Sequence, residues 1–162
     1  MQIVALSDEF RKETERFAAE SWGGLRVAAH RELYCLRELP CYIALSDKRE
    51  ILGYSYYRFS TDECEIMAIE SVRQNIGVGT ALIKAVTELA VSENCRRLYL
   101  QTTNDNTHAL RFYQRRGFTI CAVRLNELEH LRKLKPAIPL TGIDGIALAH
   151  EIELEMLLAK PI

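Results

Sequence analysis

The sequence carries no excess of charge of either sign: 21 Lys and Arg stand against 22 Asp and Glu, a formal net charge of −1. That balance leaves no basic footprint for a nucleic-acid partner, and no acidic run marks a disordered tail. No apolar stretch approaches the length that spans a bilayer. The chain reaches Asp8 and Glu9 without a basic start or a long apolar stretch, so neither a signal peptide nor a membrane partner is expected. Cysteines are few and odd in number: Cys35, Cys41, Cys64, Cys95 and Cys121, with no Cys-x-x-Cys spacing. A reducing, cytoplasmic location is the simplest reading, with a catalytic thiol at Cys41 as the minor alternative. His30, His108, His130 and His150 lack metal-ligand spacing, so no metal is expected.

What is present is an ordinary globular composition, 48% apolar and 27% charged, over 162 residues, which suits a single domain spanning 1–162. Residues 2–6 read as a strand, and Ser7 or Asp8 caps a helix over about 8–20. Residues 25–39 admit either helix or extended chain before Pro40. From Cys41 the pattern is strand-like: 41–45, 51–59 and 63–70, joined by polar turns into an antiparallel meander. A helix over about 78–93, a strand over 97–102, a helix over about 106–116 stopped by a left-handed Gly117, and a strand over 118–124 follow. A short helix is expected near 127–133 and a loop over 135–150. Residues 151–157 alternate Glu with apolar side chains and read as a half-exposed closing strand, able to pair edge to edge in a homodimer. The sum is an α+β domain whose mixed, largely antiparallel sheet is flanked by helices, with one βαβ crossover near its centre.

The chemistry concentrates in Arg73 to Leu82. Gly77 and Gly79 stand where a strand turns sharply into a helix, and the unpaired N–H groups of a helix's first turn form a site for phosphate. By itself the pair is open to a plain turn reading. A dinucleotide fingerprint needs a third glycine where Leu82 stands, and a Walker loop needs a Gly-Lys-Ser/Thr that is absent. A second segment, Asn106-x-x-Ala109-x-x-Phe112-Tyr113-x-x-x-Gly117-Phe118, reads alone as an amphipathic helix with a core tyrosine.

Taken together, Gln74-x-x-Gly77-x-Gly79, a strand, and then the Asn106 to Phe118 segment resemble the GNAT superfamily of acetyl-CoA-dependent N-acetyltransferases. Trp22-Gly-x-x-Arg26-Val27 and the segments Arg132 to Ile146 and Glu151 to Glu155 resemble an uncharacterised bacterial subgroup of it. The resemblance implies a GNAT-like fold and acetyl-CoA as co-substrate. Gln74, Asn75, Ile76, Gly77, Val78 and Gly79 would wrap the pyrophosphate with backbone N–H groups, and Thr80 would add a hydroxyl. Asn75 stands where the family commonly has glycine; Asn tolerates left-handed backbone. Met67, Ala68 and Ile69 would pair through their backbone with the pantetheine amides, and Asn106 would hydrogen-bond that arm. Tyr113 matches the tyrosine assigned as acid to the departing thiolate.

The acceptor must be a neutral amine, since an ammonium has no lone pair to attack with. Strand alternation puts Glu63 and Glu65 on one face with Met67 and Ile69, and Glu70 on the other. Glu63 or Glu65 is then the candidate base through water, against their reading as solvated strand carboxylates. Arg111, Arg115 and Arg116 read mainly as a solvated helix face. The expected function is acetyl transfer from acetyl-CoA to a primary amine by direct attack. The alternative is a catalytically silent acyl-CoA-binding or interaction domain of the same fold.

Overall fold

The computed structural model describes residues 1–74 and 76–159. In chain order the elements are β1 (Gln2–Ala5), α1 (Asp8–Trp22), β2 (Arg26–Ala29), β3 (Glu32–Cys35), β4 (Cys41–Leu45), β5 (Ile51–Ser60), β6 (Glu63–Ser71), α2 (Val78–Ser92), β7 (Arg97–Thr103), α3 (Thr107–Gln114), β8 (Thr119–Arg124), α4 (Glu127–Leu134) and β9 (Glu151–Leu157). Seven strands form one mixed sheet in the order β1-β4-β5-β6-β7-β9-β8, and β2 pairs with β3 apart from it. Only the β6–β7 pairing is parallel, because α2 carries the chain across between them. The expected α+β architecture, with a largely antiparallel sheet flanked by helices, is present.

Helices cover both faces. Phe10, Thr14 and Ala18 recur every fourth residue on α1 and are buried, and Phe10 and Ala18 share a core with Ile43, Tyr54, Tyr56 and Ala68. On the other face Leu82, Val86 and Ala90 of α2 repeat the same spacing, with Ile66, Leu98, Leu100 and Leu154 beneath the helix. Each Leu, Val, Ile and Phe among them stabilises the fold by roughly 1.5–3 kcal/mol on burial. Gly23, at φ 67°, stops α1 one residue after Trp22, so the indole stands at the helix's end. Gly117 adopts φ 90° after α3, as its position in the sequence predicts.

The structure bears on the sequence reading in three places. Residues 25–39, open between helix and extended chain, take the extended form, as the β2–β3 hairpin and a short 3-10 turn at Leu36–Glu38. The two-residue loop of that hairpin is His30-Arg31, both at positive φ (52° and 59°), the geometry that a tight hairpin demands and that Asn-Gly usually supplies.

The second lies on β6, where the structure departs from simple alternation. Tyr56 pairs with Ala68 but Tyr57 pairs with Ile66, so Met67 is an extra residue in a bulge. Alternation reverses there. Ile69 joins the α2 side of the sheet, while Ala68 packs in the α1 core and Glu70 meets the hydroxyl of Tyr54 at 2.8 Å. Ile69 therefore does not share a face with Glu65, and Glu70 does.

The third is β9. It lies between β7 and β8 with both edges paired, so it cannot join two copies by edge pairing. Its glutamates are not its solvent side either: Glu151 and Glu153 are 5% and 6% exposed. They belong to a ladder of charges across the sheet. Arg97 reaches Glu63 at 3.0 Å, Glu153 at 3.0 Å and Glu155 at 2.9 Å, and Arg124 reaches Glu151 at 3.2 Å and Glu153 at 3.0 Å.

Candidate active site

β6 and β7 pair only from Glu63↔Arg97 to Ile66↔Leu100, yet they run on to Ser71 and Thr103. Beyond Ile66 they splay. The bulge at Met67 lies just past the last shared pair and turns β6 away. Backbone groups of 67–71 on that edge have no partner strand among the described residues. A cavity opens on each side of the splay, of about 700 Å³ and about 490 Å³, and both are lined by Trp22, Gln101, Thr102 and Asn106.

The larger cavity is bounded by Ile69 and Ser71 of β6, by Gln74, Gly77, Val78, Gly79 and Thr80 at the start of α2, and by α3. Gly77 is the N-cap of α2 at φ 80°, and no acidic residue stands in the first turn. A Cβ added at Gly77 would meet nothing within 4 Å, so open space lies over the N–H groups there. Gly79 serves differently: a Cβ on it would come within 2.9 Å of the Phe112 ring, so glycine lets α2 and α3 approach. Ile76 is 53% exposed and does not line the cavity, and Asn75 lies outside the described residues.

Arg111, Arg115 and Arg116 all line this cavity rather than forming a purely solvated face. Arg116 stacks on Phe112 at 3.6 Å and donates from Nε to the Thr80 hydroxyl at 2.9 Å. That bond fixes a cation beside the α2 N-terminus. Helix dipole, free N–H groups, glycine cradle and guanidinium together suit a polyphosphate. The residues present thus fit the phosphorylated co-substrate that the sequence motifs imply.

Asn106 caps α3: its Oδ1 accepts from the Ala109 N–H at 3.1 Å, leaving the amide N–H groups to reach the splay. Tyr113 is 7% exposed and lines the larger cavity, with its ring edge-on to Phe112 and Phe118. Burial alone pushes its phenol well above the ordinary value, so the proton stays on oxygen near neutral pH. Of the strand end marked by the motif, only Ile69 faces this cavity. Met67 lines the smaller one, and Ala68 is 2% exposed in the core.

The smaller cavity has an apolar wall of Val27, Leu128, Leu131, Ile138 and Leu148, and its carboxylates are Glu65 and Glu151. Glu65 is almost wholly buried. Its Oε2 accepts from Arg58 Nε at 2.9 Å and from the Tyr99 hydroxyl at 3.0 Å, while His30 Nε2 lies 2.9 Å from Oε1 and 2.8 Å from Oε2. Bonding to Glu65 raises the His30 pKa, against the opposing effect of burial. The left-handed hairpin turn delivers this imidazole, and Arg31 beside it makes a two-point contact with Glu127 at 2.9 and 3.1 Å. Strain of this kind, at about 1–3 kcal/mol per residue, persists where the surroundings hold it.

The structure brings Glu65 to the cavity and leaves Glu63 outside it, ion-paired to Arg96 and Arg97 at the far end of β6. Cys41 is 5% exposed in the α1 core, and burial pushes its thiol up to about 12, which leaves it protonated and unreactive. His30, Glu151 and the α4 wall carry no local motif. A signal for Glu151 existed only in its place at the start of the last strand.

The Acetyltransferase (GNAT) family model matches residues 4–118 of the chain. Two Bacillus subtilis (strain 168) relatives align over nearly the whole length. The uncharacterized protein YxbD is 38% identical, covering 94% of this chain and 96% of the relative. The uncharacterized protein YdhI is 37% identical over the same shares. A GNAT family acetyltransferase from Elizabethkingia anophelis, solved with acetyl-CoA bound, superposes with a TM-score of 0.71 at 21% identity, covering 97% of each chain.

Proposed function

The chain belongs to the GNAT acetyltransferase family, and from that premise we propose that it is one N-acetyltransferase domain moving an acetyl group from acetyl-CoA to a primary amine. The observation that carries this reading is the splay of β6 from β7 between two cavities, with the tyrosine of the second motif at the larger one. The larger cavity takes the donor and the smaller takes the acceptor. Among the described residues no helix is long and apolar enough to cross a membrane, and the composition favours a cytoplasmic enzyme.

Acetyl-CoA would supply an activated acyl thioester. The N–H groups of 77–80 and Arg116 bind its phosphates, with the backbone of Gln74 and Ile76 beside them. The free edge of β6 over Met67, Ala68 and Ile69 pairs with its amides, and Asn106 donates from the opposite wall. Trp22, Gln101 and Thr102 line the passage that joins the two cavities. Through it the amine nitrogen attacks directly, without an acyl-enzyme. Glu65 takes the amine's proton through water at Oε1, since its Oε2 already accepts three contacts. His30, part-exposed, passes that proton on to solvent. Tyr113, kept protonated by burial, donates to the departing thiolate.

Tyr113→Phe tests the assignment. Loss of a positioned acid costs on the order of 100-fold in rate, so kcat should fall by about that factor while calorimetry shows acetyl-CoA affinity within about threefold of wild type. Unchanged turnover would remove Tyr113 from the chemistry.

A further inference from the structure

We propose that Glu151 receives the acceptor as its ammonium on entry, before the amine gives up that proton to attack, and that the acceptor is a monoamine with an apolar body, an alkyl- or arylalkylamine. The inference rests on the acetyltransferase reading above and concerns only the smaller cavity.

Glu151 opens β9 opposite Thr103, at the end of β7 that has left β6 behind. It is 5% exposed and lines the cavity. Arg124 donates to Oε1 at 3.2 Å, and Oε2 accepts no hydrogen bond among the described residues. Glu65, the cavity's other carboxylate, already carries Arg58, Tyr99 and His30. Both oxygens of Glu65 have His30 beside them, whereas Glu151 keeps one oxygen with no hydrogen bond among the described residues. Burial also raises the Glu151 pKa, opposed by Arg124 and His30, so a cation placed there relieves an unfavourable charge.

The rest of the cavity selects what hangs from that ammonium. Val27, Leu128, Leu131, Ile138 and Leu148 present hydrocarbon, and a volume of about 490 Å³ holds a small organic amine. Lys135, in the same lining, spends its ammonium on the carbonyls of Trp22 and Arg26, with no ion-pair partner among the described residues. A second cation on the ligand would face Lys135, which disfavours polyamines and aminoglycosides. An α-carboxylate would sit within two bonds of the amine, beside Glu65 and Glu151, which disfavours free amino acids.

The test uses the full chain with acetyl-CoA and four amines: 2-phenylethylamine, ethanolamine, spermidine and kanamycin. CoA release should give a kcat/KM for 2-phenylethylamine at least tenfold above each of the others. In Glu151→Gln, the KM for 2-phenylethylamine should rise at least tenfold with kcat within about threefold. Acetyl-CoA affinity and inhibition by 2-phenylethanol, which lacks the ammonium, should stay as in wild type. Faster turnover of spermidine or kanamycin overturns the acceptor class and leaves the acetyltransferase standing. An unchanged KM in a variant that still binds acetyl-CoA overturns the anchor. Acetyl-CoA binding with no CoA release from any amine overturns both this inference and the function it rests on.

Discussion

Gly77→Glu is expected to weaken acetyl-CoA binding by at least 100-fold in calorimetric titration. The substitution puts a carboxylate into the open space over the first turn of α2, where phosphate is expected. Two charge-assisted hydrogen bonds from that turn, at about 1.5–3 kcal/mol each, are lost or turned against a like charge. Every 1.4 kcal/mol is about tenfold in affinity, so their loss alone reaches the stated factor. Backbone strain is a smaller part. A residue with a Cβ at φ 80° costs about 1–2 kcal/mol, and Gly77→Ala, which bears that cost without the charge, should keep binding within about tenfold. Equal losses in the two variants would assign the effect to loop geometry; unchanged affinity in Gly77→Glu would move the phosphates away from α2.

The second large effect concerns stability. Arg97→Met should lower the unfolding free energy by about 1–3 kcal/mol in urea titration, because it takes the only ion-pair partner described for Glu155 and leaves Glu153 to Arg124 and Glu63 to Arg96. Arg97 is the ion-pair partner of Glu63, Glu153 and Glu155, and its side chain is only 15% exposed. The charge ladder also sets how the fold responds to acid. Burial opposes the charge on Glu153, but Arg124 and Arg97 outweigh it and hold its pKa at about 2, below an ordinary 4.5. A depressed carboxylate contributes stability that is present above its unfolded pKa and lost as pH falls through the folded one. Wild type should therefore lose this contribution between about pH 4.5 and pH 2, and Arg97→Met should show a shallower fall there. A variant as stable as wild type at pH 7 would make the ladder energetically idle.

The donor half of the site was legible in the chain because its geometry is local. Gly77, Gly79, Asn106 and Gly117 each mark a turn or cap whose backbone demand is met within a few residues, and the spacing between the two motifs carried the rest. The acceptor half was not legible, for three physical reasons. The β2–β3 hairpin turns on His30-Arg31 at positive φ without the Gly or Asn that signals such a turn, and tertiary contacts to Glu65 and Glu127 hold it. The bulge at Met67 breaks the period-two rule midway along β6, so Ile69 and Glu70 exchanged faces relative to the alternating pattern. The glutamates of β9 look solvent-facing by residue type, yet Arg97 and Arg124 pair with them, and Glu151 and Glu153 are buried. Arg111, Arg115 and Arg116 line the larger cavity, and Gly79 admits the Phe112 ring of α3 closely.

The central claim is acetyl transfer from acetyl-CoA to an amine through the gap between β6 and β7. The most direct measurement incubates the chain with acetyl-CoA and an apolar primary amine, counts the free thiol released and weighs the amine product by mass spectrometry. The account predicts one N-acetylated amine, 42 mass units heavier to the nearest unit, roughly for each CoA released, as transfer to the amine rather than to water requires. Acetyl-CoA that binds while no supplied amine gains an acetyl group would contradict it.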